Sequence, residues 1–314
     1  MIEAMENSGV FERENKKNHS TPLSIYIKLF RIHHFPKNFL VFIPIFAAHN
    51  FNFPDAFTLT VVFLGFCFCA SSIYIINDFF DLPYDQAHPE KRHRPLAAGI
   101  ISPASALATS MAALCVGLAL GWLAGPGVAL VMGGYAVVAI AYSTILKRVF
   151  ILDALTLTCL YGARLAAGAV ACGVALSSWL IAFSACLFFG LALVKRVSEI
   201  AIRQQAGLGD PPGRPYRLSD RPLLERLAAL GCFAAVVILA LYPESQTAAR
   251  LYASPKILWA ADLAFLFWTC RLLALAHRNA LPDDPVAFAL SDRVSHLCGA
   301  FIALCGVAAA MLSW

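Results

Sequence analysis

Charged residues are scarce in this chain. Only 14% of its 314 residues are Asp, Glu, Lys or Arg, whereas about 25% is usual for soluble globular domains. Hydrophobic residues make up 60% of the sequence. A soluble domain of this length has too much surface to carry so few charges, so the apolar excess must face lipid. The composition therefore excludes an ordinary soluble enzyme and indicates an all-α integral membrane protein.

Paired cysteine motifs and concentrated positive charge are also missing. The ten cysteines lack the spacing of a zinc site or a disulfide framework, and nearly all lie inside apolar runs. The net charge of +5 is dispersed, which argues against a nucleic-acid partner and suits anionic lipid headgroups or phosphorylated substrates. Residues 1–20 are polar, so no cleavable signal peptide is predicted. We expect a disordered N-terminus over 1–21 and a membrane domain over 22–314.

Nine apolar stretches are candidates for crossing about 30 Å of hydrocarbon. The first is short and contains Pro44, so it is predicted to be tilted or continuous with an amphipathic segment around residues 25–32. The nine stretches cover residues 38–50, 56–76, 102–123, 126–145, 151–171, 176–195, 224–242, 256–276 and 294–313.

The lysines and arginines predict the orientation, because positively charged loops are retained on the cytoplasmic side. With a cytoplasmic N-terminus, 21 of the 24 basic residues fall in cytoplasmic segments. The exceptions are Arg250 and Lys256 on the other side and Arg164 inside a predicted span. The polar motifs are therefore predicted to face the cytoplasm from a bacterial inner membrane.

Three carboxylates follow the second apolar stretch. Asp78, Asp81 and Asp85 stand at positions i, i+3 and i+7, which places them on one face of a helical end. Three like charges repel one another unless they share a cation, and hard oxygen ligands suit Mg²⁺ together with substrate phosphates. The alternative is an acidic helix end in water. The basic run over 91–94 favours the metal, since it could hold the anion that the metal would bridge.

These residues resemble the first aspartate motif of the UbiA superfamily of membrane prenyltransferases. The similar pattern is Asn77-Asp78-x-x-Asp81-x-x-x-Asp85 followed by Lys91-Arg92-x-Arg94-Pro95, and it continues at Tyr142-Ser143-x-x-Leu146-Lys147 and Asp153. The resemblance implies a nine-helix bundle with a magnesium-bound diphosphate site that faces the cytoplasm.

One departure from the superfamily pattern bears on the reaction. Members that use a prenyl diphosphate usually carry a second aspartate-rich motif after the sixth span, but this chain has Lys195-Arg196-Val197-Ser198-Glu199 there. That pattern is similar to the branch of decaprenyl-phosphate phosphoribosyltransferases. Further similarities to the branch are Arg31-x-x-x-x-x-Lys37-Asn38, Arg164-Leu165-x-Ala167-Gly168, Asp283-Asp284-Pro285 and Asp292-Arg293.

The branch resemblance implies transfer of a 5-phosphoribosyl group from phosphoribosyl diphosphate to a polyprenyl phosphate, with release of diphosphate. Such a product is an early intermediate towards a lipid-linked arabinose donor, for cell-wall arabinan or for nodulation-factor arabinosylation. Asp78, Asp81 and Asp85 are assigned to Mg²⁺, Asn77 to an auxiliary contact, and Lys91, Arg92 and Arg94 to the diphosphate. Further candidate substrate contacts are Lys37, Asn38, Tyr142, Lys147, Asp153, Arg164, Lys195, Arg196 and Glu199.

Several alternatives stay open at this level. The chain could be a true prenyltransferase acting on an aromatic acceptor, or a transporter of a polyprenyl-linked sugar. Arg164 could line the substrate cavity or form a structural pair that includes Asp153. Lys195 and Glu199 could be a helix pair rather than substrate contacts. The turn-rich loop over 210–217 could be a lid or a mobile connection.

Overall fold

A computed structural model describes residues 22–50, 52–87, 91–282 and 284–312. All regular elements in these ranges are helical, which confirms the predicted all-α class. The predicted disordered segment 1–21 lies outside the described residues.

Eight helices in the described ranges are long and apolar enough to cross a membrane. They coincide with the second to ninth predicted stretches, and most begin where a proline or a polar N-cap residue starts the first turn. A shorter helix, α1, covers Pro22–Phe30. The long helices are α2 (Phe53–Phe80), α3 (Pro103–Ala124), α4 (Pro126–Thr144), α5 (Leu152–Ala171), α6 (Ser178–Gln205), α7 (Arg221–Leu241), α8 (Leu258–His277) and α9 (Arg293–Met311).

The first predicted stretch is not a long α-helix. A 3₁₀-helix covers Ile32–Phe42 and a short α-helix covers Ile43–Ala47, so the described residues contain eight long helices rather than nine. Pro36 and Pro44 explain the difference, because each proline removes a backbone donor. The 3₁₀ form rises about 2.0 Å per residue, and the whole segment could therefore extend about 30 Å. The predicted helical continuity with the preceding segment is not found, because Arg31, with φ 50° and ψ 51°, interrupts the helix between α1 and the 3₁₀-helix.

Glycine lets this N-terminal segment lie directly against α5. A Cβ atom built on Gly168 would lie 1.9 Å from the carbonyl oxygen of Val41, so only a residue without a side chain permits this approach. The contact brings the 3₁₀-helix, with Lys37 and Asn38, to the polar interior of the bundle. Similar close approaches join α2 to α3 at Gly117 and α6 to α7 at Gly190.

We expect Gly168→Ala to destabilise the protein by about 1–3 kcal/mol, the usual range for overpacking. The added methyl group must push the 3₁₀-helix away from α5. Thermal unfolding in detergent would measure the effect, with Gly162→Ala on the same helix as the control, because a Cβ atom there meets nothing within 4 Å. Equal midpoints for the two variants would contradict the proposed packing role.

Candidate active site

The predicted polar residues gather mainly at one end of the bundle. This end consists of the carboxyl-terminal ends of α2, α4 and α6 and the connections that follow them. Within it the side chains form four ionic groups rather than one continuous cluster, and each group joins elements that are distant in the sequence.

The first group pairs two of the three aspartates with two arginines. Asp78 lies in the last turn of α2, and Asp85 lies on a short helix, Leu82–Ala87. Nη1 of Arg94 donates to Asp78 Oδ1 at 3.0 Å and to Asp85 Oδ2 at 2.6 Å, while Arg31 forms a second ion pair with Asp78. Both carboxylates are buried. A single cationic nitrogen therefore bridges the two acids.

The third aspartate belongs to a second group. Asp81 is the C-cap residue of α2, and its backbone amide still bonds to the Asn77 carbonyl at 2.9 Å. Its carboxylate accepts from Lys147 Nζ at 2.6 Å and from the amide of Asn77 at 2.9 Å. Burial lowers the pKa of Lys147, and the hydrogen bond to Asp81 opposes that shift.

The third group surrounds the buried carboxylate of Asp153, at the start of α5. Arg196 Nε lies 2.7 Å from Asp153 Oδ2, and Arg214 Nη1 lies 3.7 Å from Oδ1. The Tyr142 hydroxyl donates to Asp153 at 3.1 Å and accepts from both arginines. Arg196 also pairs with Glu199. The expected alternative pair between Lys195 and Glu199 is therefore wrong, since Arg196 holds this glutamate instead.

The fourth group joins two predicted phosphate ligands to an acid. Lys37 forms an ion pair with Asp284, and Lys195 Nζ lies 3.8 Å from the same carboxylate. Asp284 also accepts from the backbone amides of Val286 and Ala287. Burial alone would raise the pKa of Asp284, but the two lysines outweigh it and hold the pKa well below its ordinary value. The neighbouring Asp283 lies outside the described residues.

Arg164 lies in the bundle interior, away from Asp153. Its guanidinium donates to Asn38 Oδ1 at 2.8 Å, to the Leu160 carbonyl at 2.6 Å and to the Tyr135 hydroxyl at 3.2 Å. The same group lies over the Tyr135 ring, 4.9 Å from its centre. Within the described ranges it forms no ion pair with a carboxylate, so the expected pair with Asp153 is not found. Neutral oxygens and aromatic rings stabilise this buried cation.

The remaining predicted cations lie at the edge of the site. Arg92 is exposed, and its side chain donates to the adjacent His93 at 3.4 Å. Lys91 is half-buried, and its positive charge acts on the Glu199 carboxylate. Residues 88–90, which precede this basic run, lie outside the described residues.

Arg31, Arg214 and Asp284 belong to the site but are missing from the residues assigned from sequence. Arg31 and Asp284 occur in motifs noted above, and Arg214 occurs in the turn-rich loop over 210–217, so the sequence drew attention to all three positions. Local spacing could not show that Arg31 meets Asp78, 47 residues away, or that Lys37 meets Asp284, 247 residues away. Helix packing alone creates these pairs.

The donor set at Asp78 and Asp85 fits Mg²⁺. No group of three or more His, Cys, Asp or Glu side chains in the described ranges is arranged around one point. Mg²⁺ does not require one, because it commonly takes one or two carboxylates and fills its other positions with water and substrate phosphates. Arg94 Nη1 occupies the position between the two carboxylates, so a Mg²⁺ ion bound by both would have to displace this guanidinium.

Comparison with known proteins connects this arrangement to a family. The sequence model of the UbiA prenyltransferase family matches residues 38–278, which include all four ionic groups except Arg31, Lys37 and Asp284. The chain belongs to the UbiA prenyltransferase family. The fold agrees with this membership, since a UbiA homolog from Archaeoglobus fulgidus bound to GPP and Mg²⁺ is similar with a TM-score of 0.68. That similarity covers 90% of this chain and 100% of the homolog at 17% identity.

Three further proteins are similar in sequence. The protein y4nM of Sinorhizobium fredii is 36% identical over 95% of this chain, which spans only 58% of y4nM. Nodulation protein NoeC of Azorhizobium caulinodans is 30% identical over 88% of the chain and 90% of NoeC. Decaprenyl-phosphate phosphoribosyltransferase of Corynebacterium glutamicum is 33% identical over 62% of the chain and 61% of that enzyme.

Proposed function

We propose that this UbiA-family protein transfers a 5-phosphoribosyl group from phosphoribosyl diphosphate to a polyprenyl phosphate and releases diphosphate. The carrying observation is that its cations gather at one end of the bundle in separate groups, as binding of several phosphates requires. The two reactants bear three phosphate-containing groups: the diphosphate, the sugar 5-phosphate and the lipid phosphate. The cations are Arg31 with Arg94, Lys147, Arg196 with Arg214, and Lys37 with Lys195.

The charge distribution suits the chemistry of this transfer. The bond between the anomeric carbon and the diphosphate oxygen breaks with its electron pair on the oxygen, and a lipid phosphate oxygen forms the new bond to that carbon. Negative charge therefore builds on the leaving group while positive charge develops on the sugar, so fixed cations near the leaving group lower the barrier. The lipid phosphate is already an anion, so alignment matters more than a general base.

Asp78 and Asp85 would hold Mg²⁺, and Asp81 would position Lys147. A bound Mg²⁺ supplies positive charge that neutralises the diphosphate. Arg31 and Arg94 are already in contact with these carboxylates, so they can bind the same diphosphate from the protein side. Glu199 restrains Arg196, and Tyr142 orients both Arg196 and Arg214.

Two further features support the proposal. The relatives include decaprenyl-phosphate phosphoribosyltransferases, and the position of a second aspartate-rich motif is occupied by Lys195-Arg196-Val197-Ser198-Glu199. The similarity to a nodulation protein, NoeC, favours a role in nodulation over one in cell-wall arabinan. The distribution of basic residues supports a bacterial inner membrane location with the site facing the cytoplasm.

A donor comparison on purified protein tests this function. One reaction would contain Mg²⁺, polyprenyl phosphate and radiolabelled phosphoribosyl diphosphate; the other would contain Mg²⁺, a prenyl diphosphate and 4-hydroxybenzoate. We expect label in the lipid phase of the first reaction and no prenylated aromatic in the second. A prenylated aromatic with unlabelled lipid would overturn the proposal and support the alternative, an aromatic prenyltransferase, which the family match also allows.

Arg214→Gln is expected to raise the KM for phosphoribosyl diphosphate about tenfold or more, with a smaller effect on kcat. Arg214 is held less tightly than Arg196, since it lies 3.7 Å rather than 2.7 Å from Asp153, and it can therefore turn to a bound phosphate. A charge-assisted hydrogen bond is worth about 1.5–3 kcal/mol. Steady-state kinetics would measure the change.

Arg217→Gln is the matched control for this prediction. Arg217 lies on the same loop but is exposed, and its backbone amide bonds to Asp220. Unchanged KM values in both variants would mean that Arg214 has only a structural role.

A further inference from the structure

A second cavity lies at the end of the bundle opposite the ionic groups. Its volume is about 560 Å³, and it is bounded by the turn between α5 and α6, the first turns of α6, the end of α7 and the short helix Gln246–Leu251. Trp179 in its wall precedes Glu199 of the polar site by 20 residues on α6. At 1.5 Å per residue this is about 30 Å, the thickness of the hydrocarbon core. The cavity is therefore separate from the proposed active site.

The walls of this cavity combine aromatic rings with other apolar side chains. Trp179 and Tyr242 contact each other with ring centres 6.0 Å apart, and Tyr242 contacts Tyr252 at 6.3 Å. Tryptophan and tyrosine concentrate at the level of lipid headgroups. Leu180 and Phe183 continue the wall one turn further into the bundle. The cavity thus offers an interfacial rim and an apolar interior.

One basic side chain lines the cavity. Arg250 is exposed, and within the part of the chain that the structure describes it forms no ion pair. It is also one of only two basic residues predicted on this side of the membrane. An unpaired guanidinium beside an aromatic rim attracts a phosphate. The apolar wall favours contact with a hydrocarbon chain.

We propose that this cavity binds one anionic phospholipid from the leaflet opposite the polar site. Arg250 binds the lipid phosphate, the tyrosine and tryptophan rings lie at headgroup level, and one acyl chain lies along Leu180 and Phe183. A free phosphate would leave the apolar wall without a partner, and a neutral lipid would leave Arg250 unneutralised. The proposal is independent of the reaction catalysed at the other end.

Native mass spectrometry of the delipidated full chain in detergent tests the proposal. Titration with phosphatidylglycerol is expected to show one saturable site, at least tenfold tighter than phosphatidylcholine. Arg250→Gln should remove this preference for the anionic lipid. Lys256→Gln is the matched control, because Lys256 is the other basic residue at this end and does not line the cavity.

A cavity-filling variant separates a lipid site from simple surface attraction. Ala175 lines the cavity, so Ala175→Phe should weaken phosphatidylglycerol binding while leaving Arg250 in place. Far-ultraviolet circular dichroism and the unfolding midpoint would establish that each variant is folded. Unchanged binding in Ala175→Phe, equal losses in Arg250→Gln and Lys256→Gln, or competition by millimolar inorganic phosphate would each overturn the proposal.

Discussion

Asp78→Asn is expected to lower the rate of phosphoribosyl transfer by about two to three orders of magnitude, the scale seen when one preorganised charge partner of a transition state is removed. The amide keeps the shape of the side chain but loses the charge that attracts both Arg31 and Arg94. It also removes one of the two carboxylates proposed to hold Mg²⁺. Initial rates over a range of Mg²⁺ concentrations should show a lower maximum and a weaker apparent affinity for the metal.

The protein should remain folded in this variant, because Arg94 keeps its ion pair with Asp85. Asp55→Asn is a suitable control, since Asp55 is a carboxylate at the other end of the same helix, where it accepts from Asn52 at 2.7 Å. Full activity in Asp78→Asn would refute the metal assignment. Loss of activity in Asp55→Asn as well would indicate a general effect on α2.

Asp153→Asn is expected to have the largest effect on stability. Asp153 is fully buried, and Arg196 beside it is 2% exposed. Removing one partner of a buried ion pair typically costs about 3–5 kcal/mol, because the other charge remains buried without compensation. Glu199 still pairs with Arg196, so we expect a loss near the lower end of this range, measured by thermal or denaturant unfolding in detergent.

The double variant Asp153→Asn/Arg196→Gln should be less destabilised than the sum of the two single variants, because the pair between Asp153 and Arg196 is lost only once. Glu244→Gln provides the control, since Glu244 is an exposed carboxylate at the opposite end of the bundle. A double variant as unstable as the sum of the two single variants would mean that Asp153 and Arg196 act independently.

The helix boundaries show how far local sequence patterns reach. Eight apolar stretches predicted the long helices, since membrane crossing depends on a local run of apolar side chains. The largest difference is at α6, which continues ten residues past its predicted end to Gln205. The stretch over 38–50 differed because Ile32–Phe42, which contains Pro36, is a 3₁₀-helix, and only the short α-helix Ile43–Ala47 follows it. Hydropathy predicts whether a segment lies in lipid or in water. Backbone hydrogen bonding determines whether that segment forms an α-helix or a 3₁₀-helix.

The aspartate motif shows what local sequence patterns do not predict, namely which side chains contact each other. Spacing predicted that Asp78, Asp81 and Asp85 share one helical face. Asp81 lies just past the last residue of α2, and its side chain forms an ion pair with Lys147. Similarly, an 11-residue separation on one helix suggested a pair between Asp153 and Arg164. The structure joins Asp153 to Arg196 and Arg164 to Asn38, because neighbouring helices supply closer partners than the same helix does.

By itself the sequence determined that this is a helical membrane protein of a recognisable family with an acidic motif and many cations, because composition, hydropathy and motif spacing are properties of short segments. Only the tertiary structure decided which cation meets which carboxylate. Charges buried in a medium of low dielectric constant must be paired or solvated by polar groups. Close helix packing at Gly168 and Gly190 selects those partners across separations as long as that between Lys37 and Asp284.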